Sequence, residues 1–234
     1  MLLLETDGHA TGVLDHNIFE DSYGSRIYGG NQGGATFPFA LGSSDAVFSE
    51  DNTITANAGV SVDHFIASNS GPRYVLRHNN FTYNASLWNI IDAHGYCEVA
   101  GRGSFTWEVY DNTFTLPPSL DAVMHIRGGQ GVVYNNLNSS ETGPEWAIHL
   151  TDYMTCSPPC VDTCSGYPCK DQINHSYFWD NKKNGTPFNV PIIVPQSSRK
   201  IVIITIPRCP VTFHTPILIP WRGQPIPRRP LREI

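Results

Sequence analysis

Positive charge is what this sequence has least of. Lys and Arg total 15 against 21 Asp and Glu in 234 residues, for a net charge of −6, and such a surface has little with which to neutralise a row of phosphates. A nucleic-acid partner is not expected. Long apolar runs are missing as well. No stretch approaches the ~18 residues that suggest a membrane span, and the apolar start, Met1 to Leu4, is too short for the core of a signal peptide. No membrane span is expected. The glycine runs Gly29 to Gly34 and Arg127 to Gly131 lack the Lys-Ser/Thr ending and the strand-turn-helix setting of a phosphate-binding loop, so they read as turns. Helix caps are hard to find anywhere, whereas Asn, Gly, Ser and Thr are plentiful, which suits short strands joined by tight turns.

What is present is a repeat. Val13 to Phe19, Phe48 to Ile54, Val75 to Phe81, Glu108 to Phe114 and Val132 to Leu137 each read as a short strand, an Asn and then an apolar residue, with a degenerate sixth copy at Tyr177 to Asn181. Self-similarity of this period indicates a solenoid. Asn tolerates left-handed geometry and its amide can bond nearby backbone, so Asn17, Asn52, Asn79, Asn112 and Asn136 are expected to turn the chain and to stack as a ladder. Two positions later, Phe19, Ile54, Phe81 and Phe114 are expected to stack in the interior. The position before each Asn carries His16, Asp51, His78, Asp111 and Asn135, a second polar row expected to hydrogen-bond between repeats.

A second register follows the first. Asp92, His125 and His149 each lie thirteen residues after a ladder Asn, and Asp63 lies eleven after Asn52. Adjacent strands are roughly 4.8 Å apart, so Asp63, Asp92, His125 and His149 are expected in one row. Phe65, His94, Arg127 and Thr151, two residues further on, share that face.

With these motifs, with Pro38 to Val47, Gly71 to Val75, Arg127 to Val132 and Tyr167 to Ile173 beside them, residues 5 to 190 resemble the pectate-lyase-like superfamily of right-handed parallel β-helices, and more closely its bacterial, secreted β-helix repeat proteins. The expected fold is all-β: one right-handed parallel β-helix over residues 1–190 with a Cys-rich loop at 154–170, then an irregular Pro-rich tail over 191–234. Because Thr6 to Ala10 is similar to Ile91 to Gly95, the start is read as falling inside a repeat, with an upstream part expected. The change of character near Lys200 is read as a frameshift, which sequencing the encoding DNA would settle.

The candidate site is the patch Asp63, Asp92, His94, His125, Arg127 and His149. Two carboxylates about 5 Å apart are the spacing of retaining glycosidases. In a lyase, Arg127 would neutralise a uronate while His125 or His94 takes the proton. Asp92, His94 and His125 also suit a metal such as Zn²⁺. Against all three stands a plain alternative, polar side chains pairing on an exposed sheet. The expected function is carbohydrate engagement by a secreted or cell-surface protein, with polysaccharide lyase and glycoside hydrolase as its catalytic forms and an adhesin or tail-fibre-like scaffold as its rival. The partner is a polysaccharide or other glycan. No cofactor is implied beyond Ca²⁺, for which Asp45 and Asp51 are candidates without the regular oxygen-ligand spacing.

Cys156, Cys160, Cys164 and Cys169 crowd one loop at spacings unlike paired CxxC zinc motifs, so two disulfides are expected, and with them an oxidising compartment. Cys97 stays unpaired in that count. Asn80, Asn84, Asn138 and Asn174 match the glycosylation pattern by composition.

Overall fold

The computed structural model describes residues 4–6, 10–22, 25–29, 41–60, 64–85, 89–94, 103–117, 120, 122–140, 148–150, 173, 175–187, 192–193 and 203–205. Every regular element among them is a strand, and no helix long and apolar enough to cross a membrane occurs among them. The strands form three seven-stranded sheets. Sheet A holds β1 (Leu4–Thr6), β4 (Ser25–Tyr28), β7 (Ile66–Asn69), β10 (Ile91–Ala93), β13 (Met124–Ile126), β16 (Ile148–Leu150) and β20 (Ile192–Ile193) in that order. Sheet B holds β2 (Gly12–Asp15), β5 (Val47–Glu50), β8 (Arg73–Arg77), β11 (Thr106–Tyr110), β14 (Gln130–Tyr134), β17 (Ser176–Trp179) and β21 (Ile203–Thr205). Sheet C runs β3 (Ile18–Glu20), β6 (Thr53–Ala56), β9 (Asn80–Tyr83), β12 (Thr113–Thr115), β15 (Leu137–Asn138), β18 (Lys182–Lys183) and β19 (Thr186–Pro187). Up to β18, consecutive strands visit A, B and C in turn and pair in parallel with the strand three places on; β19 alone pairs antiparallel, with β18. This all-β, largely parallel arrangement is compatible with a parallel β-helix.

Alternation within each strand explains the core. Phe19, Ile54, Phe81 and Phe114 occupy one register position of sheet C, and Phe81 and Phe114 stack at 4.7 Å with ring planes 5° apart. Ile66, Ile91, Met124 and Ile148 do the same in sheet A, and in sheet B Tyr74 and Trp107 share one inward position and Leu76, Val109 and Val133 a second. All but Phe19 belong to one buried cluster, with Phe19 packed against it, so the three sheets share a single core. Gly131 sits opposite Trp107 in this core, where a Cβ would lie 1.8 Å from the Trp107 carbonyl oxygen. Only glycine fits there.

The asparagine ladder forms as expected, from Asn17 through Asn52, Asn79, Asn112 and Asn136 to Asn181. Each Oδ1 accepts both the backbone N–H and the side-chain N–H of the Asn before it, the side-chain bonds all at 3.0 Å. The expected geometry needs one correction. The left-handed residue is the one before the ladder Asn: His16, Asp51, His78, Asp111, Asn135 and Asp180 have φ of 50 to 57°. Placing the bend there frees the Asn to bury its amide against the preceding strand carbonyls, as Asn112 Nδ2 does on Leu76 and Tyr110 at 2.9 and 3.0 Å. His, Asp and Asn are among the residues that best tolerate this region.

β20 and β21 fall within the segment read as an irregular tail, and they continue sheets A and B through pairs with β16 and β17. Both are short runs rich in β-branched Ile, which suits them to a sheet. All six cysteines lie outside the described residues, as does Asn174. Of the other three glycosylation-pattern asparagines, Asn80 and Asn84 are exposed and Asn138 is buried.

Candidate functional site

The outer side of sheet A gathers most of the expected patch. Asp92, His125 and His149 are register partners on β10, β13 and β16, because Ile91, Met124 and Ile148 beside them are drawn into the core and alternation turns the next residue away. His94 and Arg127 follow at the strand ends, where the Arg127 N–H donates to the Ala93 carbonyl at 2.8 Å and the His94 N–H to Ser68 at 2.9 Å.

Asp63 and Thr151 lie outside the described residues. The position next to Asp92 in the row is held by Ala67. Phe65 does not face outward beside His94; it is 1 % exposed and packs edge-on against Phe81 at 5.2 Å. The cause is a longer connection after β6: the turn through Asn57 and Gly59, with Gly59 at φ 84°, delays the next strand to Ile66. A fixed offset from Asn52 therefore points to the wrong residues.

Asp92 is the centre of the cluster. It is 3 % exposed, and Arg127 grips it with two bonds, Nε to Oδ1 at 3.1 Å and an Nη2 to Oδ2 at 2.5 Å. This forked pairing is the strong form of a charge-assisted bond. Two imidazoles close on the same oxygen: His64 Nε2 at 3.3 Å and His94 Nε2 at 3.4 Å. His64 belongs to the site but not to the expected patch, since it precedes β7 and has no place in the repeat. Its one sequence signal is its position two residues before the core residue Ile66.

Beyond this knot lie His125 and His149, half-buried, with ring centroids 6.2 Å apart and planes nearly perpendicular. Burial pushes the His125 imidazole below its ordinary pKa. Asp92 pulls it partly back, and His149, His64 and His94 push it the same way as burial. His125 is therefore a neutral ring at neutral pH, able to donate at one nitrogen and accept at the other.

The arrangement bears on each chemistry. Asp92 has both oxygens committed to a buried guanidinium, so it is poorly placed as a free nucleophile, as a general acid or as a metal ligand. Asp45 pairs with Arg73 at 3.0 Å. Among the described residues the group whose donor atoms all fall within 4.8 Å of one another is Asp15, His16 and Asp51, all exposed. Comparison of the chain with protein-family models, with curated proteins and with solved structures finds no match in any of the three.

Proposed function

We propose that the chain winds as a single right-handed parallel β-helix of the pectate-lyase-like kind, and that it is a secreted or cell-surface protein engaging an extended carbohydrate across the outer side of sheet A. The observation that carries this reading is the row that sheet A turns outward, in which the half-buried His125 and His149 follow the buried Asp92 at successive strand spacings, with Arg127 bonded to Asp92 and His94 3.4 Å from it at the strand ends. Sugar hydroxyls both donate and accept, and the His125 ring, kept neutral by burial, answers them in kind. The Asp92–Arg127 pair fixes one end of the row, with His64 and His94 drawn onto the same carboxylate. The winding itself is supported by strands that visit three sheets in fixed rotation and by a continuous ladder at one corner; right-handed connection is the rule for parallel strands in one sheet.

Of the catalytic forms, a lyase is better supported than a hydrolase. Burial keeps His125 a neutral ring of the kind a lyase uses as its base, whereas the carboxylate a hydrolase would use is locked on Arg127. The rival, a non-catalytic scaffold, draws its support from the same lock, because Asp92, Arg127, His64 and His94 satisfy one another. The test is a screen of uronate-containing polysaccharides for binding and for new unsaturated ends, beside reducing-sugar release from neutral ones, with His125→Ala and His149→Ala as variants. Binding that falls at least about tenfold in both variants, as for centrally placed contacts, supports the reading. A bound glycan indifferent to both would place its site elsewhere.

A further inference from the structure

On sheet B, alternation sends Leu76 and Val109 into the core and turns Val75, Arg77, Glu108 and Tyr110 outward. Val75, Glu108 and Tyr110 are buried all the same, at 1, 4 and 5 % exposure, whereas His125 and His149, outward on sheet A, stay half-buried. Part of the cover over sheet B is the segment 41–46 that leads into β5. Its last residue, Ala46, packs with Val75 and Tyr110 in a small hydrophobic cluster separate from the core, with Phe48 and Tyr134 against it.

Two polar anchors tie this segment down. The Gly42 N–H donates to Glu108 Oε1 at 2.7 Å, across 66 residues of sequence, and Asp45 Oδ2 accepts from an Arg73 Nη at 3.0 Å. Gly42 turns at φ 77°, where glycine is at ease. The carboxyl at the first anchor is poorly provided for as an anion. The guanidinium that acts on it, that of Arg77, is already bonded to Glu50 and, at 3.1 Å, to the Tyr110 hydroxyl. The Tyr110 and Tyr134 phenols that face it are pushed up by burial and stay neutral, and Arg73 is paired with Asp45. Burial therefore outweighs the Gly42 N–H and Arg77, and the Glu108 pKa stands at about 6. A closed segment holds that proton more tightly than one that lets water in, so closure is firmest below pH 4.5 and weakens as pH rises through about 6.

We infer that residues 41–46 are a strap released by rising pH: protonated Glu108 and the Asp45–Arg73 pair hold it against the outer side of sheet B, and ionisation of Glu108 loosens it and uncovers Val75 and Tyr110. Between 4.5 and about 6 the ratio of open to closed strap changes by up to about thirtyfold, the full value applying where the open form returns Glu108 to water. The strap lies on a different sheet from Asp92, His125 and His149 and does not rest on the carbohydrate reading.

Backbone amide hydrogen exchange on the full chain, read by NMR as protection relative to an unstructured amide at the same pH, detects such an opening even where it is rare. Gly42 should lose up to about thirtyfold in protection between pH 4.5 and 7.5. Glu108→Gln keeps the acceptor but cannot ionise, so Gly42 should be equally protected at both pH values; the same variant separates Glu108 from His78, whose ring stands edge-on to Tyr110 at 6.3 Å. Asp45→Asn weakens the other anchor and should lower Gly42 protection at both pH values while leaving the pH dependence in place. Low urea separates a local opening from global unfolding: exchange at Gly42 should not respond, while Leu76 and Val109, in the paired strands β8 and β11, should accelerate. Gly42 protection indifferent to pH in the parent would overturn the inference. So would a pH dependence that survives Glu108→Gln, or Gly42 exchange that keeps step with Leu76 and Val109 through the urea series.

Discussion

Replacing Asn112 with Ala probes the ladder in its buried middle. Asn112 is 1 % exposed. Its Nδ2 donates to the Leu76 and Tyr110 carbonyls and to Asn136 Oδ1, and its Oδ1 accepts from both the backbone N–H and Nδ2 of Asn79 at 3.0 Å. Truncation leaves the buried Asn79 N–H without that acceptor and takes a donor from Leu76. A buried polar group left unsatisfied costs about 1–3 kcal/mol, so two of them and a small void predict a loss of about 2–5 kcal/mol. Asn17 is the internal control. It is half-buried at the end of the ladder and gives its side-chain N–H groups to Asp15 and Asn52 at 3.0 Å, so Asn17→Ala should cost less than about 1 kcal/mol. Urea denaturation with an unchanged m-value reads both losses directly. An Asn112→Ala variant no less stable than Asn17→Ala would refute the reasoning.

Three other perturbations have definite outcomes. Gly131→Ala forces a Cβ to 1.8 Å from the Trp107 carbonyl oxygen and 2.5 Å from its ring; it should cost about 3 kcal/mol and alter the near-ultraviolet circular dichroism of the Trp, and a silent variant would contradict the packing. Arg127→Met strands the buried Asp92 carboxylate and should cost about 3–5 kcal/mol, most of it recovered in the double variant with Asp92→Leu; a double-mutant cycle without coupling would argue against the forked pair. Glu108, 4 % exposed, has its pKa pushed from 4.5 up to about 6, chiefly by burial, with the Gly42 N–H and Arg77 opposing. The folded chain then holds this proton more tightly than the unfolded chain, so stability falls as pH rises from 4.5 to about 6, by about 2 kcal/mol. Glu108→Gln should remove that slope and be the more stable form at pH 7.5, as denaturation at several pH values would reveal; an unchanged slope would rule Glu108 out as its source.

Much of the fold is legible in the residues because its main constraint is periodic. A ladder Asn recurs in every repeat, with an apolar residue two places on at Phe19, Ile54, Phe81 and Phe114, and β5, β8, β11, β14 and β17 all precede a buried one. The Asp92, His125 and His149 row was legible for the same reason, since three repeats keep one spacing from corner to strand. Phe65 was misplaced, and Ala67 holds the place in the row expected for Asp63, because an offset carries no information about the length of the connection from β6 to β7. His64 escaped notice because it sits in a connection, where periodicity has nothing to say. The corner conformation was assigned one residue late: His, Asp and Asn all tolerate positive φ, so neither position of the pair could be singled out from residue type. How tightly Asp92 and Arg127 pair was also beyond spacing alone, since it depends on side-chain reach across two neighbouring strands.

The sharpest test of a glycan surface on sheet A is imidazole ¹⁵N chemical shifts, recorded on histidine-labelled protein during titration with whichever polysaccharide binds in the screen. His94, His125 and His149 should move together and saturate with the bound fraction, while His16 and His78, exposed at the corner between sheets B and C, stay still. Saturated binding with the first three unmoved, or with His16 and His78 moving instead, would contradict the account.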